Sequence, residues 1–158
     1  MIQDVSISKA TVPDCAVLLL LQKECYLQEA KINNDYNIPP LVQTIDEYIN
    51  EFAQYTILKT EYKNSIIGSV RSKNEGSICK IGRLFVKPEY QGLGIGRKLL
   101  NTIEEENNSV EKYELFTGKE STRNIAFYTQ LGYTIVGEQR LTEKTYIIIM
   151  EKKNRIAG

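Results

Sequence analysis

In the segment GRLFVKPEYQGLGIGRKLL, Gln91, Gly94 and Gly96 stand in the spacing Gln-x-x-Gly-x-Gly, behind an apolar run that ends in Leu84, Phe85 and Val86. A helix-like run follows directly. The first amides of a helix have no internal acceptors, and the helix dipole adds partial positive charge there. Glycines let that main chain approach an anion with no side chain between. The segment therefore suits a phosphate or pyrophosphate. Two familiar cradles fail on spacing. Counted from Gly92, the dinucleotide fingerprint would need glycine where Arg97 stands. A P-loop would need Lys-Ser/Thr after Gly96, which is followed by Arg97, Lys98 and Leu99. Some thirty residues on, STRNIAFYTQLG places Asn124 and Tyr128 four apart, on one face of a helix. The chain has no histidine. Ser-His-Asp, Cys-His and HExxH chemistry is thereby excluded, and proton transfer falls to carboxylates, Tyr, Lys, Cys or water.

The elements that must position these residues follow from periodicity and turn chemistry. The length of 158 residues suits one domain, 1–158, and 42% hydrophobic with 25% charged residues is enough for a core. Residues 2–8 alternate as a first strand. Residues 11–31 form a long helix with Thr11 as cap, Pro13 in the first turn and a leucine run facing the core. Residues 33–40 are expected as loop because of Pro39 and Pro40. Thr44 and Glu47 start a second helix as a capping box. Three strand-like runs follow (55–62, 65–72 and 77–86), separated by Lys63-Asn64 and by KNEG. After the glycine segment and its helix come a strand at 113–118, a helix at 121–132 ending at Gly132, and strands at 133–140 and 144–152. The expected order is βααβββαβαββ, an α/β fold with a mixed sheet, helices on both faces, and a strand–helix–strand centre between antiparallel hairpins.

The twenty basic and twenty acidic residues cancel. This favours neither a nucleic-acid nor a membrane-surface partner. No apolar run is long enough to span a bilayer, and the N-terminus lacks a secretory pattern. Cys15, Cys25 and Cys79 form neither a metal pattern nor a disulfide framework, which fits a reducing cytoplasm and no metal. The apolar C-terminal run TYIIIMEK is a candidate edge for homodimer pairing.

The glycine segment resembles the acyl-CoA-binding motif of the GNAT family of N-acetyltransferases. Asn124, Phe127, Tyr128, Gly132 and Tyr133 resemble a second motif of that family. The specific motifs lie within residues 80–137. The resemblance implies acetyl-CoA as co-substrate, its pyrophosphate on the amides of Gln91, Gly92, Leu93, Gly94, Ile95, Gly96 and Arg97. Gly92 is read as a turn residue that the motif does not require. The preceding strand would part from its neighbour to admit the pantetheine arm, with the main chain of Leu84, Phe85 and Val86 holding that arm and the acetyl carbonyl. Asn124 would contact the arm, and Tyr128 would protonate the leaving thiolate, while Ala126 and Phe127 face the core. Many relatives carry a strand Glu where Lys80 stands here, so the base is open among Glu75, Asp35 and Glu61. Cys79 reads as packing rather than nucleophile. The acceptor, an amine of a small molecule or protein, is expected where residues 31–44 meet the turn at 140–144, near Tyr26, Asp35 and Tyr36. A non-catalytic acyl-CoA-binding regulatory module is the alternative reading.

Overall fold

A computed structural model of the chain describes residues 4–155. Strand β1 (Ser6–Lys9) leads through a short 3-10 turn into α1 (Cys15–Asn33), then α2 (Pro39–Val42) and α3 (Ile45–Phe52). Strands β2 (Thr56–Tyr62), β3 (Ser65–Glu75) and β4 (Ile78–Val86) form a meander. Helix α4 (Ile95–Glu106), β5 (Lys112–Gly118), α5 (Thr122–Gln130), β6 (Thr134–Arg140) and β7 (Tyr146–Lys153) complete the chain. The sheet has the order β1-β2-β3-β4-β5-β7-β6, with β4 and β5 parallel and its other pairs antiparallel.

Alternation along β2 sends neighbouring side chains to opposite faces. Ile57 packs with Leu18, Leu19 and Tyr48 of α1 and α3, whereas Leu58 joins Leu99, Leu100 and Ile103 of α4. Helices thus cover both faces, as expected. The three α4 side chains are fully buried. Each contributes about 1.5–3 kcal/mol by leaving water, which fixes the helix whose N-terminus carries the glycine turn.

Several boundaries depart from the sequence reading. Strand β1 is shifted to Ser6–Lys9, and residues 2–3 of that expectation lie outside the described residues. Pro39 and Pro40 do not forbid a helix but begin one, since proline lacks only an N–H that the first turn leaves unbonded anyway. The β3 strand runs on to Glu75, paired with Ile78, so Lys73, Asn74 and Glu75 belong to the ladder rather than the turn. Lys63-Asn64 does form a two-residue hairpin turn, with φ of 50° and 64°. Within the leucine run of α1, Leu18, Leu19 and Leu21 are buried, but Leu20 points outward at 70% exposure. The TYIIIMEK strand is not an edge, because β7 lies between β5 and β6.

The segment after α1 is tied to the far hairpin by Asp35. This buried carboxylate accepts hydrogen bonds from Thr142 Oγ1, from Thr145 Oγ1 at 2.6 Å and from the Asn37 amide at 3.0 Å. Bonds from Thr142 and Thr145 hold its pKa below the usual carboxylate range, against the opposing effect of burial. A depressed folded-state pKa gives stability that is present above the unfolded value, about 3.9, and is lost as pH falls through the folded value. Asp35→Asn is expected to cost about 1.5–3 kcal/mol at pH 7. Denaturant melts should show the gap narrowing as pH falls below about 3.9 and closing only below the folded-state value. A gap equally wide at pH 7 and pH 3 would refute the charged-clamp account.

Candidate active site

The β4–β5 ladder holds only at Ile78–Lys112, Cys79–Tyr113 and Lys80–Glu114. Beyond Lys80 each strand stays bonded to its other neighbour, β3 or β7, and the two part from one another. A cleft of about 780 Å³ opens between them. One cause is a bulge in β4: Ser69 faces Phe85 and Arg71 faces Gly82, so Arg83 and Leu84 together oppose Val70. Arg83 takes up the bulge with φ of 48°.

The glycine turn stands at one end of this cleft. Among the described residues, no main-chain N–H of residues 92–97 has a hydrogen-bond acceptor. The first helical bond comes from Lys98 to the Gly94 carbonyl. Gly92 and Gly94 have φ of 77° and 84°, and a Cβ at either would meet nothing within 4 Å. Gly92 therefore sits in the left-handed region just as Gly94 does, which the motif spacing alone does not reveal. The turn is open rather than filled by its own side chains. Gln91 folds back, its Nε2 donating to the Val86 carbonyl at 2.9 Å, and so tethers the turn to the end of β4. The Cys25 thiol donates to the same carbonyl at 3.6 Å. Free amides at a helix start, with Arg97 exposed beside them, fit a diphosphate.

Leu84, Phe85 and Val86 line the cleft, as do Gln91, Gly92, Gly94, Ile95, Gly96 and Arg97. The side chain of Leu93 instead packs on the core. Asn124 and Tyr128 reach the cleft from α5. Phe127 packs against the core, but Ala126 is exposed, contrary to expectation. The Tyr128 ring is 9% exposed and contacts Phe127 and Tyr133 edge-on. Its hydroxyl has no hydrogen bond among the described residues, yet it is not one of the enclosed unpaired atoms, so it is reached from the cleft. Burial, then the neighbouring Tyr26 and Glu29, push the phenol's pKa well up and keep it protonated.

Sequence reasoning missed Glu29. On α1, this carboxylate accepts from Asn124 Nδ2 at 3.0 Å and from Ser121 Oγ, and it lines the cleft. Asn124 also donates to Thr117 Oγ1 at 3.3 Å, which leaves its own carbonyl oxygen unbonded among the described residues. No motif marks Glu29, because its role arises from α1 lying across the parted strands.

The other base candidates lie elsewhere. Glu75 pairs with Lys80 at 3.0 Å, Glu61 lies 3.5 Å from Lys59, and Asp35 serves the clamp. Lys80 is held above its usual pKa by Glu75 and then Glu114, so it stays a cation. Cys79 is fully buried, and burial pushes its thiol up to about 11. Tyr36 is exposed and does not line the cleft, while Tyr26 does.

A mixed sheet with one parallel pair that parts over a glycine-rich helix start gives a cleft with an anion site at one end. Residues 27–156 match the acetyltransferase (GNAT) domain, and the chain belongs to that family of acyl-CoA-using transferases. It is 28% identical over 146 residues to the UPF0157 protein YqkA of Bacillus subtilis, covering 88% of this chain but only 41% of that protein. It is 26% identical over 133 residues to the L-methionine sulfoximine/L-methionine sulfone acetyltransferase of Salmonella typhimurium, covering 79% of this chain and 77% of the relative. Two solved structures share the fold. The ribosomal-protein-S18-alanine N-acetyltransferase of Escherichia coli superposes with a TM-score of 0.80 at 18% identity, over 98% of this chain and 96% of that one. The PaiA N-acetyltransferase of Thermoplasma acidophilum, in complex with coenzyme A, gives 0.73 at 20% identity, over 96% and 99%.

Proposed function

We propose that this chain moves an acetyl group directly from acetyl-CoA to the primary amine of a small molecule. The observation that carries the reading is the parted β4–β5 pair, with a turn of unbonded amides at one end and the unbonded Tyr128 hydroxyl within. The amides of residues 92–97 hold the diphosphate, without the expected Gln91 amide, which already donates to the Pro88 carbonyl at 3.2 Å. The main chain at Leu84, Phe85 and Val86 guides the pantetheine arm and polarises the acetyl carbonyl. Asn124 offers its free carbonyl oxygen to the arm, and Tyr128 gives its proton to the departing thiolate. No acyl-enzyme forms: Cys79 is buried packing, and the cleft-lining Cys25 thiol donates to the Val86 carbonyl and has its pKa pushed up to about 12 by burial, so it stays protonated. The relative named for acetylating methionine derivatives supports a small acceptor over a macromolecule. The three free cysteines suit a reducing cytoplasm. A single domain over 1–158 and pairing of two copies belong to the same proposal, with the exposed β6 edge replacing β7 as the pairing strand.

An alkyl ammonium of pKa about 10.4 leaves roughly one amine in 10³ free at pH 7, a cost of about 4–5 kcal/mol. We assign that proton to Glu29, the cleft-lining carboxylate that bonds to Asn124. Glu29→Gln keeps an oxygen for Asn124 but removes the charge. Turnover should fall about 10-fold at pH 7, and the loss should shrink at pH 9.5, where more amine is already free. An equal loss at both pH values would remove Glu29 from this role.

The function itself is tested by following free thiol release from acetyl-CoA across a panel of amines. Binding of coenzyme A without turnover on any amine would instead support the regulatory module, which the pairing of Lys80 with Glu75 and Glu114 keeps in view.

A further inference from the structure

Arg71 on β3 and Arg83 on the β4 bulge both line the cleft, and only Arg71 has a carboxylate partner among the described residues. Glu51 accepts from Arg71 Nη1 through Oε2, and from Gln43 Nε2 through Oε1 at 2.8 Å. The Arg71 guanidinium stacks over Tyr55, 3.9 Å from the ring centroid, and its Nε is enclosed without a partner. Arg83 is half-buried and donates from Nη1 to the neutral Gln43 Oε1 at 2.8 Å. Among the described residues it has no other hydrogen bond and no ion pair, so its remaining donors are unused. Burial, and then the Arg71 charge, press its pKa downward, as two cations short of one anion require.

A single carboxylate, Glu51, bonds to Arg71, so Arg83 is a half-buried charge with no anionic partner among the described residues. Such a charge is costly unless an anion completes it. The bulge holds Arg83 at a positive φ that side chains rarely adopt, and its side chain lines the cleft. A planar fork with free donors matches a carboxylate in bidentate geometry. Both arginines belong to the same cleft as the chemistry: Tyr26, Glu29, Asn124 and Tyr128 line it together with Arg71 and Arg83.

We infer that the amine acceptor carries a carboxylate, held by Arg83 with Arg71 behind it, and is therefore of the amino-acid class. This rests on the acetyl-transfer reading above and specifies the acceptor that reading leaves open. Arg83 is a specificity residue that touches substrate; Arg71 is a positioning residue, because Glu51 and Tyr55 already hold it.

The experiment compares free amino acids with their primary carboxamides, for instance leucine with leucinamide and methionine with methioninamide. Both binding to the CoA-loaded protein by calorimetry and thiol release from acetyl-CoA are measured. The free acids should bind at least tenfold more tightly than the amides. Arg83→Met should remove that preference by raising KM for the acids at least tenfold more than KM for the amides. Arg83→Lys should restore part of the preference. Amides that bind the CoA-loaded protein as tightly as the acids or more so, failure of every free acid to bind, or an equal loss on both series in Arg83→Met would overturn the inference. Acids that bind preferentially without being acetylated would instead overturn the transferase reading and leave carboxylate recognition standing. Should Arg83→Met not fold, the acid–amide comparison in the native protein decides alone.

Discussion

Tyr128→Phe is expected to lower turnover by about 10³-fold while leaving coenzyme A affinity within about threefold, since positioned general acids are worth roughly 10²–10⁴ in rate. The substitution removes one oxygen and little else. Ring contacts with Phe127 and Tyr133, at centroid distances of 5.3 and 6.1 Å, are kept by phenylalanine, so stability should hardly change. The hydroxyl makes no protein hydrogen bond whose loss would confuse the result. Its charged form is disfavoured by burial first and by Tyr26 and Glu29 next, so the neutral donor persists through the alkaline range. Rate profiles should therefore show no fall that belongs to Tyr128 up to about pH 10. Stopped-flow thiol release gives the chemical step, and calorimetry gives the coenzyme affinity. If affinity and turnover fell together, Tyr128 would be holding the ligand rather than supplying a proton. If neither fell, the regulatory-module reading would gain.

Gly94→Val tests the other end of the cleft. Gly94 has φ of 84°, where an L-residue is strained by about 1–2 kcal/mol and a β-branched one by more. Its absent Cβ would meet nothing within 4 Å, so the added Cβ stands in open space on the side where an anion would approach. Relief of the strain would turn the amides of residues 92–97 away from their common direction. Coenzyme A should bind about 10²-fold more weakly, equivalent to about 2.7 kcal/mol. The core contacts of Leu99, Leu100 and Ile103 should hold α4 in place. A thermal melt separates the two effects: Tm should drop by only a few degrees, because the strain is confined to a solvent-exposed turn. Dephospho-CoA, which keeps the diphosphate, should suffer the same loss, whereas pantetheine, which lacks it, should bind wild type and variant alike. An undiminished affinity for coenzyme A would show that these amides are not the anion site.

Much of the architecture was legible along the chain because its causes are local. The Gln91, Gly94 and Gly96 spacing before a helix announces unbonded amides, whatever the rest of the molecule does. Thr44 and Glu47 cap α3 reciprocally, at 2.9 and 3.2 Å, through residues three apart. Local rules misread Pro39 and Pro40, because the same missing N–H that breaks a helix interior is harmless in a first turn. They also cut β3 short at KNEG, where pairing with β4 outweighed the turn-like composition.

What the sequence by itself determined is the turn that can receive an anion, the helix face shared by Asn124 and Tyr128, and the absence of histidine chemistry. Only the tertiary structure decided where β4 leaves β5, that β7 is interior, that Asp35 is a clamp, and that Glu29, Arg71 and Arg83 share the cleft. Glu29 meets Asn124 across 95 positions, and Arg83 meets Gln43 across 40. Periodicity describes which way a side chain points from its own element. It carries no information about which distant carboxylate or guanidinium is folded against it, and that juxtaposition decides the chemistry of the site.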